Sequence, residues 1–532
     1  MKKIFVSLTF ILLSVCVWAR TERVFVVTDR TAYLSGDRVW CSLFCVDGNG
    51  RLSEQSAVAY LELVSADGTV QEAKISLLGG RGCGEFNIPV QVPTGNYRLV
   101  AYTGGQGAEG AQLGSRLLSV YNTFSLARVS GGVVTGEAAA AAPQTEVNEG
   151  VEVSVPRKVR TERPFTAMVK GVASDVTLSV FHIDGLEQVS PATLSDFLQA
   201  FPVSSAGKGV WEYDGEVVKG SASGAPAGSV AILSSAGSPE DTYFALVEED
   251  GSLNFPTGNI FGDREMVCAV PEAGDQVRIR LENPYLRPAV KNVPALRLHE
   301  DQYSALVNRK NALYTISGAD TLYSFLPRRQ DLLLTGVTWE RYHLDDYTRF
   351  HSVQEILVEI LPTVRLRRGQ LEVSVPDGAG VTRQFRDRVL VMMDGVVVPD
   401  MNLLLNLDAM LLEDVYVCTQ PLVSSQLVYN GVVNFVSKKN YVKALNFPEN
   451  VYVLDFKGVR YPVAYLGAVP TVSDGRDVRQ LLYWHPSLQI KEGETVRIPL
   501  TAPAYSGRFC IVAEGLSTTG KPVRSVTTFE VE

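Results

Sequence analysis

Short runs of β-branched and aromatic residues, each stopped by a turn-forming residue, occur along almost the whole chain. The first of them are VFVVTD, RVWCSLFCV, AVAYLELV and NYRLVAYT, separated by turn sequences such as DGNG (47–50) and ADGT (66–69). Runs of roughly 4–8 such residues bounded by Gly, Asn, Asp or Pro are typical of β-strands. Closely spaced strands without intervening helices form antiparallel sandwiches, so we expect a mainly β protein.

The length of 532 residues exceeds what a single hydrophobic core supports, because single cores stop growing at about 250–300 residues. We therefore expect about four to five domains. Apolar residues make up 46% of the sequence and charged residues 20%, which is typical of a globular chain. The net charge of −9 argues against nucleic-acid binding, which requires a basic surface.

Changes in composition along the chain predict the domain boundaries. The segment 126–150 is small, polar and punctuated by Pro and Gly, which is typical of a linker. The predicted segments are a signal peptide (1–19), a first β-sandwich (20–125), a linker (126–150), a second β-sandwich (151–208), a third small β-sandwich (209–290), an irregular connecting segment (291–344), a mixed α/β domain (345–440) and a C-terminal β-sandwich (441–532).

The first nineteen residues, MKKIFVSLTFILLSVCVWA, have the pattern of a secretory signal peptide. Lys2 and Lys3 form a basic start, and an apolar run too short to span a membrane comfortably follows. Small residues near Ala19 favour cleavage after it. Cys16 raises the alternative of a lipoprotein, although Val15 stands where a lipobox usually has Gly, Ala or Ser. Since no later segment has the ~18 uncharged apolar residues of a membrane helix, we expect an exported protein, periplasmic or associated with the outer membrane.

Six cysteines follow the predicted cleavage site: Cys41, Cys45, Cys83, Cys268, Cys418 and Cys510. Export permits disulfides, but the spacing does not require them. Cys41 and Cys45 lie about 13 Å apart in a predicted strand at ~3.3 Å per residue, which is too far for a disulfide between them. A Cys41–Cys83 or Cys45–Cys83 bridge remains open, and buried free thiols are the favoured interpretation.

One helix is predicted clearly, in HSVQEILVEILPTV (351–364). Ser352 and Glu355 form a capping-box pattern, and Pro362 ends the helix. Apolar residues lie between them at helical spacing. Further along the chain, RVLVMMDGVVVPD (388–400) predicts a hairpin with Asp394 and Gly395 in its turn.

No catalytic, cofactor or metal site is predicted. The five histidines, which are His182, His299, His343, His351 and His485, show no metal-type H-x-x-x-H spacing, and no C-x-x-C occurs. His343 with Asp345 and Asp346 is a weak candidate for cation binding, and a solvated loop is the favoured interpretation. There is no G-x-S-x-G elbow, since GSASG (220–224) has Ala222 at its centre. The basic RLRRG (365–369) is predicted to mark the exposed end of a strand.

Two stretches of the first sandwich, VFVVTDRTAYLSGDRVW (24–40) and VPTGNYRLVAY (92–102), resemble the macroglobulin-type domains of bacterial α2-macroglobulins and complement-like proteins. Ser35 departs from that pattern, which often has Pro there. The second sandwich is also expected to be macroglobulin-like. The matching residues are Thr28, Asp29, Arg30, Tyr33, Gly36, Asp37, Val39, Gly95 and Tyr97.

The third sandwich looks like a carboxypeptidase-regulatory-type domain, through GEVVKGSASGAPAGSVAIL and the later Asp250, Gly251 and Phe255.

The α/β domain resembles the plug of TonB-dependent outer-membrane receptors. Four motifs in the right order carry this likeness: VQEILVEILPTVRLR (353–367), VLVMMDGVVVP (389–399), LNLDAMLLEDVYV (405–417) and YNGVVNFVSKKN (429–440). YHLDDYTRF (342–350), LYWHPSL (482–488) and GRFCIVAEGLSTTGKP (507–522) resemble a family of exported Gram-negative proteins that combine macroglobulin-type and plug-like domains without a β-barrel.

A TonB-type barrel has about 22 strands, each needing roughly 9–11 membrane residues, and only residues 441–532 follow the plug-like domain. This plug-like domain is therefore expected to dock on another protein or to serve as a compact module. TERVFVVT (21–28) faintly resembles a TonB box, but a first sandwich strand is the favoured interpretation.

Thioester-containing macroglobulins carry Gly-Cys-Gly-Glu-Gln, and RGCGEF (81–86) resembles it in part. Phe86 stands where the family requires Gln, and phenylalanine has no carbonyl to acylate the thiol of Cys83. We therefore expect no thioester. The longer segment GGRGCGEF (79–86) is instead predicted to be a glycine-rich turn leading into the strand EFNIPV.

We expect a non-enzymatic cell-envelope protein that acts through protein–protein contacts near the outer membrane, its partner being another envelope or outer-membrane protein. The alternative is an accessory nutrient- or glycan-binding component of a TonB-dependent uptake system. Four aromatic residues are candidates to stack on a sugar, with core packing as the favoured interpretation: Trp339, Tyr342, Tyr347 and Trp484.

Overall fold

The computed structural model describes residues 22–106, 114–124, 133–134, 147–187, 189, 191–200, 211–271, 273–290, 292–316, 323–324, 338–376, 383–424, 427–439, 445–467 and 476–532. The chain is mainly β, with 52% strand and 9% helix, as predicted. It divides into two compact units. The first comprises 1–215, 285–327 and 459–532, and the second comprises 216–284 and 328–458. The predicted signal peptide and most of the predicted linker lie outside the described residues.

The first sandwich belongs to the first unit, and its predicted strands are confirmed. Its core is formed by alternate residues of paired strands, such as Val26 opposite Leu43 and Val24 opposite Cys45, all of them fully buried. In spatial order the strands are Arg23–Thr28, Arg38–Val46, Arg81–Asn87, Gly68–Leu78, Val58–Ser65, Gly95–Tyr102, Arg116–Tyr121 and Ala32–Leu34, with Val459–Arg460 pairing beside Gly68–Leu78.

The motif residues at the start of this sandwich form one buried polar cluster. Asp29 Oδ1 accepts hydrogen bonds from the Tyr33 hydroxyl at 2.8 Å and from Trp40 N at 3.0 Å. Asp37 Oδ2 accepts from Leu34 N at 2.8 Å and from Arg30 Nη2 at 2.9 Å. These side chains hold the crossover between the first three strands, so their pattern in the sequence has a structural cause.

The second sandwich is assembled from two distant parts of the chain, and the prediction of separate sandwiches over 151–208 and 441–532 is corrected. Ser174–Ile183 pairs on one side with Gly507–Ser517 and on the other with Leu481–Ile490. The alternating pattern of a strand determines which face is buried but not which strand lies beside it. One sheet runs Val147–Glu149, Pro522–Val531, Gly507–Ser517, Ser174–Ile183 and Leu481–Ile490, with Lys158–Val159 beside Pro522–Val531; the other runs Val151–Ser154, Pro164–Gly171 and Thr495–Thr501. Val147–Glu149 thus lies in a sheet, although the sequence places it in the linker.

The predicted irregular segment 291–344 contains a 14-residue helix, Tyr303–Ile316. Arg309 of this helix is buried. Its guanidinium forms ion pairs with Asp184 and, at 2.8 Å, with Glu187. A charged residue on the buried face interrupts the apolar periodicity that predicts a helix. The helix is preceded by the 3₁₀ turn Glu300–Gln302, and the shorter helix Leu194–Gln199 also lies in this unit. Two further strand pairs are Val133–Val134 with Leu298–His299 and Tyr323–Ser324 with Val463–Ala464.

The second unit begins with a small sandwich. One sheet places Val217–Ser223 between Ser252–Pro256 and Arg278–Leu281. The other runs Ser238–Leu246, Val230–Ser235, Arg264–Ala269 and Tyr452–Phe456. Tyr452–Phe456 lies in the segment predicted as the C-terminal sandwich, so that boundary is corrected as well.

A mixed sheet with helices forms the rest of the second unit. In spatial order its strands are Glu340–His343, Leu412–Cys418, Gly431–Ser437, Val389–Met393 and Val396–Val397. The predicted helix is confirmed as Val353–Glu359, with Ser352 and Glu355 forming its capping box. Glu340–His343 precedes the predicted boundary at 345, which is therefore too late. The remaining elements are the helix Met401–Leu405, the 3₁₀ turns Leu344–Asp346 and Ala409–Leu411, the sheet Val364–Arg367, Gln370–Pro376 and Arg383–Arg386, and the hairpin Leu422–Ser424 and Leu427–Tyr429.

The six cysteines of the described residues are all free. Cys41 lies opposite Gly84 and Cys83 opposite Ser42 in paired strands, so Cys41 and Cys83 point to opposite faces of the sheet. The favoured interpretation of free thiols is confirmed. Among the described helices, none has both the length and the apolar character required to cross a membrane.

Candidate functional site

The Asp-Gly turn at 394–395 is confirmed, and its geometry is specific. Asp394 has a φ of 48° and Gly395 a φ of 83°, as a two-residue hairpin of this type requires. Asp394 is buried, and its carboxylate accepts two hydrogen bonds from Ser437, from the backbone N–H at 2.7 Å and from the hydroxyl at 2.6 Å. The aspartate therefore attaches the turn to the neighbouring strand Gly431–Ser437 as well as shaping it.

This hairpin packs against the small sandwich of the same unit. Gly237 N donates to Asp394 O at 2.6 Å, and Val397 N donates to Ser234 Oγ at 3.1 Å. Val396 is fully buried in a cluster with Val267 of the sandwich. The hairpin is therefore an internal contact of the second unit and does not project as a free loop.

A groove of about 460 Å³ lies beside the hairpin, between the small sandwich and the mixed sheet. Its exposed surface is more polar than apolar, but apolar side chains line it from the strand Val389–Met393, from the segment after the hairpin and from the sandwich. The main apolar residues are Val230, Ile232, Val389, Val391, Val398 and Met401. A volume of this size falls in the range of ligand-binding clefts, about 300–1,000 Å³.

The groove exposes part of a sheet edge. Val389–Met393 pairs with Gly431–Ser437 on one side, but on the other side its pairing with Val396–Val397 covers only Met392 and Met393. Val391 O accepts from Val398 N at 2.9 Å, and no described strand pairs with the edge at Val389. Since backbone groups of alternate residues point to the same edge, Val389 offers an N–H and a C=O to the groove.

Positively and negatively charged side chains lie around the apolar side chains of the groove. Arg388, which has a φ of 55°, is exposed at the start of the edge strand, and Asp275 and Asp400 are exposed on the opposite walls. Tyr429 lies against the lining and stacks at 5.9 Å from the Phe244 ring. Because both positive and negative side chains border the groove, its charge favours neither a purely anionic nor a purely cationic ligand.

The sequence identifies the groove only in part. Val389, Val391 and Val398 lie in the plug-like hairpin motif, but its exposed edge depends on where the neighbouring strand stops. Arg388 and Tyr429 carry no signal of their own, because a single charged or aromatic residue beside a strand is usual on sandwich surfaces.

The four aromatic candidates for sugar binding are not brought together. Trp484 is completely buried in the core of the first unit, so core packing is the interpretation that holds for it. Trp339 packs edge-on against Tyr416 at 6.4 Å, and Tyr342 packs against the core of the mixed domain. Tyr347 is exposed. They do not form a stacking platform.

The candidate cation ligands have other partners. His343 Nδ1 lies 2.9 Å from Asp414 Oδ1, and the same carboxylate receives two hydrogen bonds from Arg341 at 3.0 Å. Asp345 forms an ion pair with Arg349 at 3.5 Å. In the part of the chain that the structure describes, no group of three or more His, Cys, Asp or Glu residues is arranged to hold a metal ion.

The predicted glycine-rich turn GGRGCGEF is confirmed only at Gly79 and Gly80, which both have positive φ. The rest of it is a strand, Arg81–Asn87, so the prediction of a turn is corrected there. Burial raises the pKa of Cys83 to about 11, so its thiol stays protonated near neutral pH. Together with Phe86, this geometry gives no support to nucleophilic chemistry at Cys83.

Comparison with known proteins supports the macroglobulin resemblance. Residues 23–114 match the MG2 domain family. No match was found among curated proteins. The predicted macroglobulin-type sandwich is thus confirmed over 23–114, and the carboxypeptidase-regulatory and plug resemblances stay predictions.

Solved structures with similarity to the chain include two bacterial alpha-2-macroglobulins. The Salmonella protein reacted with methylamine has a TM-score of 0.26 at 10% identity, and covers 96% of this chain. The trypsin-activated Escherichia coli protein has a TM-score of 0.24 at 9% identity, with the same coverage. The adhesin InvE of Yersinia pseudotuberculosis has a TM-score of 0.13 at 12% identity. The matched region covers 49% of this chain and 57% of the adhesin chain. This chain spans 40% and 41% of the two alpha-2-macroglobulin chains.

Proposed function

We propose that this protein is a non-enzymatic binding protein of the cell envelope, which holds an extended segment of a partner protein in the groove beside Val389. The observation that carries the proposal is the sheet edge at Val389, which has no described strand partner and lies within a groove that contains several apolar side chains. An extended peptide can add to such an edge as a further strand. Its backbone then supplies the hydrogen bonds, and alternate side chains enter the apolar floor.

The lining favours a polypeptide over a small polar solute. Val389 and Val391 are only partly buried on the groove side of the sheet, so an occupant with apolar side chains removes their surface from water. Arg388 and the two aspartates bracket this floor and suit the mixed charges of a protein surface. Among the described residues, no group of three or more His, Cys, Asp or Glu side chains is arranged to hold a metal ion that would compete with this interpretation.

The envelope location rests on the sequence. The basic start at Lys2 and Lys3 and the following apolar run support export, and the partner is then another envelope or outer-membrane protein. A macroglobulin-type domain is compatible with a protein that works through binding.

Site-specific photo-crosslinking in the native cell tests this function. A photoreactive phenylalanine replaces Arg388 in one strain and Val358 in another. Val358 is a matched control because it is 72% exposed on the helix Val353–Glu359, outside the groove lining. We expect a discrete crosslinked partner with the probe at 388 and none with the probe at 358.

A second substitution makes this result specific to the groove. Val230→Asp places a charge in the apolar lining, on the sandwich side. We expect it to abolish the crosslink from position 388 while the protein accumulates at its normal level. Equal crosslinking from 358 and 388, or a crosslink that persists with Val230→Asp, would contradict the proposal.

A further inference from the structure

Positive charge is concentrated in one short part of the second unit. Residues 364–388 contain six arginines and three acidic residues, so they carry a net charge of +3, whereas the whole chain carries −9. The acidic residues are Glu372, Asp387 and Asp377, the last of which lies outside the described residues. A local excess of one charge attracts partners of the opposite sign, whatever the net charge of the protein. The arginines are Arg365, Arg367, Arg368, Arg383, Arg386 and Arg388.

These arginines lie on one three-stranded antiparallel sheet, which we call the arginine sheet, or directly after it. Its central strand Gln370–Pro376 pairs with Val364–Arg367 on one side and with Arg383–Arg386 on the other. RLRRG (365–369) forms the end of the first strand and the turn after it, so its predicted place at the exposed end of a strand is confirmed. All six arginines are exposed.

The outward face of the arginine sheet already binds one carboxylate. Val364 and Leu366 pack against the core of the mixed domain, so Arg365 and Arg367, which alternate with them, point outward. Glu372 lies opposite Arg365 and accepts from its Nη2 at 2.6 Å and from its Nε at 2.7 Å. Arg367 Nη1 lies 3.8 Å from the other oxygen of this carboxylate. The sheet therefore holds a carboxylate of its own chain between two guanidinium groups.

Other contacts hold the arginine side chains in place. The Arg365 guanidinium stacks over the ring of Phe385, 4.0 Å from its centroid. Arg383 donates from Nη2 to Ser374 O at 2.8 Å and from Nε to Ser374 Oγ at 3.2 Å. Side chains that are already ordered lose less entropy when an anion binds. The planar guanidinium also suits carboxylates, which it binds through two parallel hydrogen bonds.

Four of the six arginines form no ion pair with a carboxylate among the described residues. Glu372 pairs with the other two, and Asp387 is the one further acidic residue in the described part of 364–388. An exposed guanidinium in this state can bind a carboxylate from another molecule. The four are Arg368, Arg383, Arg386 and Arg388.

The arginine sheet adjoins the groove beside Val389. Gly369, Gln370 and Leu371 line the groove from this sheet, and Arg388 lines it at the start of the edge strand. We propose that the polypeptide segment bound at Val389 continues as an acidic stretch, rich in Glu or Asp, across the arginine sheet. The position of this stretch rests on the proposed function, but the affinity of the arginine sheet for carboxylates does not.

The carboxylates of a polypeptide match this surface better than the phosphates of a membrane. The anion that the sheet already holds, Glu372, is itself a carboxylate. The adjoining edge at Val389 offers backbone hydrogen bonds, which an extended polypeptide can accept and donate in return. An acidic stretch next to an extended segment would therefore use both surfaces at once.

Binding of polyglutamate to the full-length protein tests the arginine sheet independently of the groove. A fluorescently labelled peptide of about ten glutamates is long enough to cross the sheet, and anisotropy measures its affinity. We expect binding that weakens roughly tenfold between about 50 and 200 mM salt, since contacts between exposed charges are screened. A peptide of the same length made of Gly and Ser should not bind.

Charge reversal on the sheet should remove this binding. Arg367→Glu combined with Arg386→Glu is expected to weaken it at least tenfold, because both side chains are exposed on the sheet. Arg278→Glu combined with Arg280→Glu is the matched control, with the same change in net charge on an exposed strand of the small sandwich, and should weaken it no more than about twofold. Arg368→Gly removes a charge where φ is 51°, which glycine tolerates, and should weaken binding about threefold in a folded protein.

The photo-crosslinking experiment tests whether the acidic stretch lies next to the groove. In a partner crosslinked from position 388, mass spectrometry should identify several Glu or Asp residues within about ten residues of the crosslinked site, a length that spans the arginine sheet. Val230→Asp alters the groove and leaves the arginine sheet intact, so polyglutamate should bind this variant normally.

The acidic stretch is overturned if polyglutamate does not bind, if both double variants weaken its binding equally, or if the crosslinked partner segment lacks acidic residues. It is also overturned if vesicles of phosphatidylglycerol bind the arginine sheet more tightly than polyglutamate does, which would assign the surface to a membrane. Absence of a crosslink from 388 with normal polyglutamate binding would instead contradict the proposed function and leave the affinity of the arginine sheet for carboxylates standing.

Discussion

Single residues in this protein often combine a turn geometry with a long-range contact, and Asp394 is the clearest example. Its positive φ suits the hairpin, and its carboxylate accepts two hydrogen bonds from Ser437. Asparagine and aspartate tolerate this backbone conformation better than other residues with side chains. The choice of aspartate therefore reflects both the turn and the adjoining strand.

Substitution of Asp394 should separate these two contributions. Asp394→Ala removes both acceptors and strains the backbone, so we expect a loss of about 2–4 kcal/mol from the free energy of unfolding of the second unit. Asp394→Asn retains the conformation and one acceptor, and should lose about 1 kcal/mol. Urea unfolding followed by fluorescence measures both. Equal losses for the two variants would mean that the hydrogen bonds to Ser437 contribute little.

A histidine should make the first unit sensitive to mild acid. Burial lowers the pKa of His182, whose Nδ1 lies 3.0 Å from Gln480 Oε1. The unfolded chain binds a proton near pH 6.5, whereas the folded chain does not until a lower pH, so stability falls as the pH drops below about 6.5. His182 contributes up to ~1.4 kcal/mol per pH unit in that window.

Melting curves between pH 7.5 and about pH 5 test this dependence. His182→Asn should flatten the fall in melting temperature below pH 6.5. His351→Asn is the control, because that ring is 82% exposed and forms only a surface pair with Asp408. An unchanged pH profile with His182→Asn would show that other groups cause the acid sensitivity.

At the scale of elements, the local structure followed from the sequence more reliably than the pairing did. The strands of the first sandwich and the helix Val353–Glu359 could be predicted because alternation, turn residues and a capping box are local signals. The helix Tyr303–Ile316 could not, since Arg309 stands on its buried face. The partnership of Ser174–Ile183 with the C-terminal strands joins residues more than 300 positions apart, and no local pattern specifies it.

The candidate groove could also be predicted only in part, because local sequence patterns do not specify which elements pack together. Its apolar residues lie in a predicted hairpin, but its edge is exposed only because Val396–Val397 is two residues long and Pro399 follows. A proline cannot donate to a ladder, so the chain leaves the sheet there. Such an end is visible in the sequence, but the groove that it opens depends on the sandwich packed beside it.

Truncation tests the discontinuous sandwich. A chain that ends at residue 478 lacks both neighbours of Ser174–Ile183. We expect residues 147–183 to become readily cleaved in limited proteolysis, because an isolated set of strands cannot bury its apolar face. The second unit, which ends at residue 458, should stay protected and serves as the internal control. Continued protection of 147–183 would contradict the shared sandwich.

At the scale of the whole molecule, the chain is a mainly β protein with one MG2-type domain, a sandwich closed by the C-terminal strands and a unit that combines a small sandwich with a mixed sheet. The plug-like hairpin is used inside that last unit, and the groove beside it is the surface that we propose for binding.

Amide hydrogen exchange at Val389 measures directly whether a bound peptide adds to this sheet edge. Peptides selected for binding from a random-sequence library serve as the probe, and the full-length protein is compared with and without them. We expect the Val389 N–H to exchange at least tenfold more slowly in the complex, while amides of the helix Val353–Glu359 do not change. Peptides that bind elsewhere and leave Val389 unprotected, or a library that yields no binder competing with the crosslink from position 388, would contradict it.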